Sequence, residues 1–213
     1  MTSPFKPEHF AREDDDDDAR FYDFARMVTH IDDAAIAALT EHYRKIIPEN
    51  ADVLDLMSSW VSHLPDALPL RRVVGLGMNA EELDANPRLT ERLVHDLNRE
   101  PKLPFKDASF DACLIAVSIQ YLTQPIEVLA EVARVLRPDA PLIISFSNRC
   151  FPTKAVAVWR AYDDHQHVGL VAFYLQTAGG FAQPEFVDLS SSPDSDPLYV
   201  VQAQRTTLHS GRA

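Results

Sequence analysis

The spacing of hydrophobic positions changes several times along the chain, and each change marks an element. Over 32–47, DDAAIAALTEHYRKII, the residues Ile36, Leu39, Tyr43 and Ile46 or Ile47 recur at helical spacing. Asp32 or Asp33 offers an N-cap to that helix, and Pro48 stops it. Val53 to Leu56 reads as a short apolar strand, and SSWVSHLPDAL after it as a polar turn and a short, Pro-interrupted helix. A second strand is expected around Arg72 to Leu76. A helix follows from Asn79 or Ala80 to a point before Pro87, and then a third strand ends near Asp96. Ala112 to Ala116 lies in a long apolar run typical of a strand buried on both faces. The strongest helix signal is PIEVLAEVARVLRP. Pro125 stands near its start, Val128, Leu129, Val132, Val135 and Leu136 share a face, and Pro138 lies just beyond its end. PLIISFSN is a fifth strand, FPTKAVAVWRAYD a helical segment, and HVGLVAFYLQTAGG a helix stopped by Gly179 and Gly180. PEFVDLS and PLYVVQAQR close the chain as a hairpin of two strands.

Strands alternating with helices predict an α/β fold. The expected form is a doubly wound, mostly parallel, seven-stranded Rossmann-like sheet with an antiparallel last strand and helices on both faces. The domain is expected over 21–207, with a frayed tail over 208–213. Residues 1–20 contain five consecutive acids, Asp14 to Asp18, and read as an acidic, disordered arm.

Composition narrows the function classes. The 213 residues carry 20 Lys and Arg against 32 Asp and Glu, a formal charge of -12, which disfavours nucleic acid and anionic membrane as partners. No run of about 18 apolar residues crosses a bilayer. The beginning of the chain lacks the apolar core of a secretory signal. Two cysteines, Cys113 and Cys150, without metal-type spacing suit a reducing cytoplasm. No metal site is expected: His165 and His167 lack a third clustered ligand.

In open α/β sheets ligands bind beyond the carboxyl ends of the strands, where the strand order reverses. The residues leaving those strands carry a resemblance. VLDL, then VVGLGMNAEELDAN, then VHDLN and LPFKDASFDACLIAVSIQYL, then EVARVLRPDAPLIISFSN, resemble the class I S-adenosylmethionine-dependent methyltransferases over about 51–150. The resemblance implies methyl transfer from S-adenosylmethionine to a small-molecule acceptor, by in-line attack and mainly by positioning. S-adenosylhomocysteine is the implied product. The alternative is a methyltransferase fold that has lost catalysis and serves as a binding or regulatory protein.

The resemblance implies a cofactor site made of Asp55, Met57, Ser58, Ser59, Trp60, Asn79, Asp96, Leu97 and Val117. Asp55 would organise the first turn or contact the methionine amine. Asp96 and Leu97 stand at the adenine side. Tyr22, His30, Ser118 and Tyr121 would line the methyl-transfer site, and Gln120, Asn148 and Arg149 the acceptor site, with Arg149 either an anion anchor or a surface ion pair. Two departures stand out. The family turn D-x-G-x-G-x-G is Asp55-Leu56-Met57-Ser58-Ser59-Trp60 here, without glycine. The ribose-binding acid at the end of the second strand falls on Gly77, leaving Asn79, Glu81 or Glu82 as substitutes.

Overall fold

The computed structural model describes residues 5–206. A short 3₁₀ turn, Pro7–Phe10, and helix α1, Asp18–Phe21, precede α2, Asp33–Ile46. Strand β1, Asp52–Leu56, is followed by β2, Arg72–Gly77, helix α3, Ala80–Ala85, β3, Glu91–Val94, and β4, Ala112–Ala116. The chain continues through α4, Pro125–Val135, β5, Pro141–Phe146, α5, Ala157–Arg160, α6, Asp164–Ala178, β6, Glu185–Asp188, and β7, Tyr199–Gln204. The strand order is β3-β2-β1-β4-β5-β7-β6, and β7 alone runs antiparallel to its neighbours β5 and β6.

The pleat sends alternate residues of each strand to opposite faces. Leu54, Leu56, Leu76, Ile115 and Ile144 join α4, α5 and α6 in one core layer. Val53, Val73, Leu114 and Ile143 face Leu39 and Tyr43 of α2 in the other. Asp32 caps α2 by accepting the Ala35 N–H at 2.8 Å. Ile36 is only partly buried, and His42 takes a buried place instead, bonded to Gln202 at 2.8 Å.

Three expectations are corrected. No helix follows β1: Pro65 and Pro69 deny the segment its N–H donors, and Leu64 and Leu68 pack on the sheet from an irregular loop. The segment after Phe151 is helical only over α5, because tertiary partners take its backbone donors: Val156 N–H bonds Gln120 O at 3.0 Å and Ala157 N–H bonds Ala11 O at 2.8 Å. The acidic arm, over its described part, is anchored to the domain by its aromatics and by Asp18, while Asp15, Asp16 and Asp17 stay exposed. Phe5 and Phe10 pack at a tilt against Tyr174, at 5.3 and 6.1 Å between ring centroids. Asp18 is buried between Arg12 and Lys154. The expected frayed tail over 208–213 lies outside the described residues.

Candidate active site

Strand order reverses between β1 and β4, so the loops beyond their carboxyl ends diverge and leave a crevice. A cavity of about 920 Å³, part of it open to solvent, lies there. Met57, Ser58 and Ser59 enter it from the β1 turn and Asn79 from the start of α3. Asp96 and Leu97 come from beyond β3, and Val117, Ser118 and Tyr121 from beyond β4. The segment 18–30 crosses the mouth as a strap and brings Tyr22 and His30 to the same space.

The turn after β1 does without glycine by an unusual course. Met57 adopts φ 59°, the left-handed region glycine normally fills. Ser58 N–H then bonds Leu76 O at 2.8 Å, drawing the turn against the end of β2. Asp55 does not line the cavity. It lies buried beneath the turn and accepts both Ser58 Oγ–H at 2.6 Å and Ser62 Oγ–H at 2.5 Å. Burial pushes the Asp55 carboxyl up to about 6, against the opposing pull of those two hydroxyls.

Trp60 is also absent from the cavity wall. Its indole N–H donates to Val28 O at 3.0 Å, clasping the strap to the turn. Asn79 lines the cavity, but its side chain is engaged: Oδ1 caps α3 at Glu82 N–H, and Nδ2 donates to Tyr22 O at 2.8 Å. Glu82 faces the cavity one turn later. It accepts Ser59 Oγ–H and Arg26 N–H, both at 2.7 Å, so one carboxylate joins the turn, α3 and the strap.

Asp96 lines the cavity and uses Oδ1 to accept Asn98 N–H at 2.9 Å. Asn98 in turn binds Asp18 Oδ2 at 2.9 Å and Tyr121 O at 3.0 Å, tying the β3 exit to the strap and to the β4 exit. Val117 is held at φ 50°, a costly conformation for a β-branched residue, by Val117 N–H to Ser145 O and Gln120 Nε2–H to Val117 O. Gln120 is buried beneath this turn and does not reach the cavity. Ser118 lines the cavity, and its Oγ is buried without a hydrogen-bond partner. Tyr121 Oη accepts Phe151 N–H at 2.8 Å.

His30, Val117, Tyr121 and Phe151 also wall a second cavity, much of it open to solvent and reached by Arg149. Arg149 is mostly exposed and pairs with Asp196 through Nε at 3.0 Å, which is the surface ion pair of the two sequence readings. Asn148 is exposed and lines neither cavity. Burial holds the His30 imidazole below its ordinary range, aided by the charge of Arg26 and opposed by Glu82. Burial pushes His63 down to about 4, and His30 adds to the shift.

Sequence reasoning missed Asp18 and Arg26 as cavity residues. Burial alone would raise the Asp18 carboxyl, but Arg12, Asn98 and Lys154 outweigh it and hold it below its ordinary range. The signal that could have found them is the set of aromatics within the arm, Phe5, Phe10 and Phe21, which a solvated tail has no use for. His167 stacks on Trp159 at 3.8 Å and bonds its carbonyl at 2.8 Å, a structural role. Among the described residues no three His, Cys, Asp or Glu side chains converge on a metal position.

The description "methyltransferase domain" matches residues 57–144, which hold the β1 turn, β2 to β4 and most of β5. Over that stretch the chain is similar to the methyltransferase-domain family. It is 32% identical over 126 residues to the demethylmenaquinone methyltransferase of Lactiplantibacillus plantarum, covering 54% of this chain and 53% of that one. It spans 14% and 40% of two other curated relatives, a bifunctional biotin-biosynthesis protein of Teredinibacter turnerae and a transposon protein of Streptomyces fradiae. A methyltransferase structure from Aquifex aeolicus superposes with a TM-score of 0.59 at 17% identity, covering 95% of this chain and 100% of that one. One from Mesorhizobium loti gives 0.55 at 18%, covering 79% and 98%. At these identities the structural likeness establishes the fold, and the methyltransferase fold here is complete in all seven strands.

The residues present suit the nucleoside cofactor of this family. Leu97 and Met57 offer apolar walls for a flat base, Asp96 and Glu82 offer carboxylates to hydroxyl and amino donors, and the Ser118 hydroxyl lacks a partner. Among the described residues no helix is long and apolar enough to cross a membrane.

Proposed function

We propose that this chain binds S-adenosylmethionine and transfers its methyl group to a small-molecule acceptor, with S-adenosylhomocysteine as product. The observation that carries this reading is the open cavity at the β1–β4 switch. The turn without glycine does not fill it, and Trp60 points away to the strap. When bound, the cofactor supplies a methyl group already activated on a sulfonium.

What the chain supplies is position. Asp96 and Leu97 hold the base, and Glu82 takes over the ribose from the missing strand-two acid. Tyr22 and the strap exclude water. Val117, Tyr121 and His30 stand between the two cavities, and the acceptor enters through the second. His30, its pKa lowered by burial, is neutral near pH 7 and able to accept a proton from an acceptor that must lose one. Gln120 supports the Val117 turn from beneath rather than touching the acceptor.

A second reading, a fold that binds without turnover, is favoured by one observation: the Ser58 N–H and both turn hydroxyls are engaged within the protein. The deciding experiment is a thermal-shift titration with S-adenosylmethionine and S-adenosylhomocysteine, confirmed by calorimetry. Ligand at about 100 times its dissociation constant adds roughly 2.7 kcal/mol, a rise of about 5–10 °C for a chain of this size. No rise at millimolar ligand overturns the enzyme reading and favours the second.

A further inference from the structure

We infer that Arg26 is a carboxylate-binding fork inside the cavity, and that it holds the amino-acid end of the cofactor in place of the missing glycine turn. The inference rests on the cavity being the cofactor site. Arg26 lies on the strap and lines the cavity. Its guanidinium is fixed on three sides: one terminal nitrogen donates to Phe21 O at 2.8 Å, the other to Phe24 O at 3.2 Å, and its plane lies over the Phe21 ring at 4.5 Å. Phe151 closes on it at 5.7 Å. Stacking of this kind suits a weakly hydrated guanidinium and holds its fork in one orientation.

The charge of that fork is uncompensated. Among the described residues Arg26 forms no ion pair with any carboxylate, in a chain of formal charge -12 where Arg12, Arg71, Arg134 and Arg149 all do. The nearest candidate, Glu82, bonds the Arg26 backbone N–H and not its side chain. A guanidinium has five N–H donors, and two of them are engaged here. A rigid, unpaired cation in a cavity is complementary to a planar anion with a single charge, which is a carboxylate. Phosphate, with its second charge, would meet Glu82 and Asp96 on the same wall.

Location selects the amino-acid end. Glu82 links the Arg26 backbone N–H to Ser59 Oγ, so the base of the Arg26 side chain stands beside the β1 turn, and Arg26 shares the cavity wall with Met57, Ser58 and Ser59. A glycine turn would offer backbone donors there. In this chain the Ser58 N–H goes to Leu76 O, its hydroxyl to Asp55 and the Ser59 hydroxyl to Glu82. The strap adds a charged donor where the Ser58 N–H and both serine hydroxyls are already engaged.

The test is calorimetry of S-adenosylhomocysteine and of 5′-methylthioadenosine, which keeps the nucleoside and sulfur but has no carboxylate. Both are titrated into the wild-type chain, Arg26→Met and Arg26→Lys. The expected result is that Arg26→Met weakens S-adenosylhomocysteine roughly 10- to 100-fold, the loss of a charged, bidentate contact. Arg26→Lys should recover part of that loss, and 5′-methylthioadenosine should bind all three proteins alike. Equal weakening of both ligands means Arg26 only shapes the cavity and overturns the inference, as does no weakening of either. If the wild-type chain binds neither ligand, the cofactor reading fails, and the inference with it.

Discussion

The carbonyl oxygen of Ser58 occupies the space that a side chain on Gly77 would need. The two departures from the family pattern are therefore one. The glycine-less turn bends onto the end of β2, and only glycine fits at the position where the family keeps its ribose-binding acid. Gly77→Ala should destabilise the chain by about 1–3 kcal/mol, because the obstacle is backbone and cannot rotate away. The melting temperature should fall by about 3–10 °C. Gly77→Asp, which restores the expected acid, should cost at least as much and should not improve S-adenosylhomocysteine affinity. An Asp variant that binds better with unchanged melting would show that the turn yields freely.

Asp55 gives stability a pH dependence of definite sign. Its folded pKa, about 6, is raised above the ordinary carboxylate value of 3.8. Between these values the folded chain holds a proton that the unfolded chain releases. The contribution to stability is full below pH 3.8 and is lost as pH rises through 6, a difference of about 3 kcal/mol. Asn at this position still accepts from Ser58 and Ser62 but does not titrate. The stability of Asp55→Asn relative to wild type should therefore rise between pH 4 and 7, measured by denaturant unfolding at each pH. A pH-independent difference would rule out proton uptake at Asp55.

Lys154 is 1% exposed and anchors the strap. Its ammonium reaches Asp14 and Asp18 carboxylates at 3.2 and 3.1 Å and the Asp16 carbonyl at 2.9 Å. Removing one member of a buried charge cluster typically costs about 3–5 kcal/mol. Lys154→Met should speed hydrogen exchange over 12–30 while leaving β4 and β5 protected. Uniform acceleration across the chain would mean that the cluster supports the whole fold and not the strap.

Asp96→Asn should keep the turn, since Asn Oδ1 can still accept the Asn98 N–H, while removing the charge that faces the cavity. S-adenosylhomocysteine affinity should fall roughly 10-fold at unchanged melting temperature. Unchanged affinity would assign Asp96 to the turn alone.

Much of the site was legible because it sits at strand ends, which hydrophobic periodicity locates. Met57, Ser58, Ser59, Asp96, Leu97, Val117, Ser118 and Tyr121 all leave strands where the apolar runs stop, and all line the cavity. Trp60, Gln120 and Asn148 do not line the cavity, and Asp55 organises the turn from beneath it, the first of its two expected roles. Being near a strand end does not say which way a side chain turns, and that depends on φ at Met57 and Val117. Arg26 and Asp18 were invisible because their partners are remote: the Arg26 N–H meets Glu82 56 residues away, and Asp18 meets Asn98 80 residues away.

The sequence by itself determined the alternation of strands and helices, the antiparallel last strand and the end of the sheet where a ligand belongs. Those follow from local rules: the periods of apolar burial, proline without an N–H, and the capping of helix starts. Tertiary structure alone decided that the run of aspartates is anchored beside the strap and is not a free tail. Five adjacent acids repel one another in water, but here Arg12 and Lys154 pair with Asp14, Asp15 and Asp18, and the packing of Phe5 and Phe10 on Tyr174 holds the arm close while Asp16 and Asp17 stay exposed. Coulomb attraction acts through space, so its sign for a charge run depends on neighbours that no local window contains.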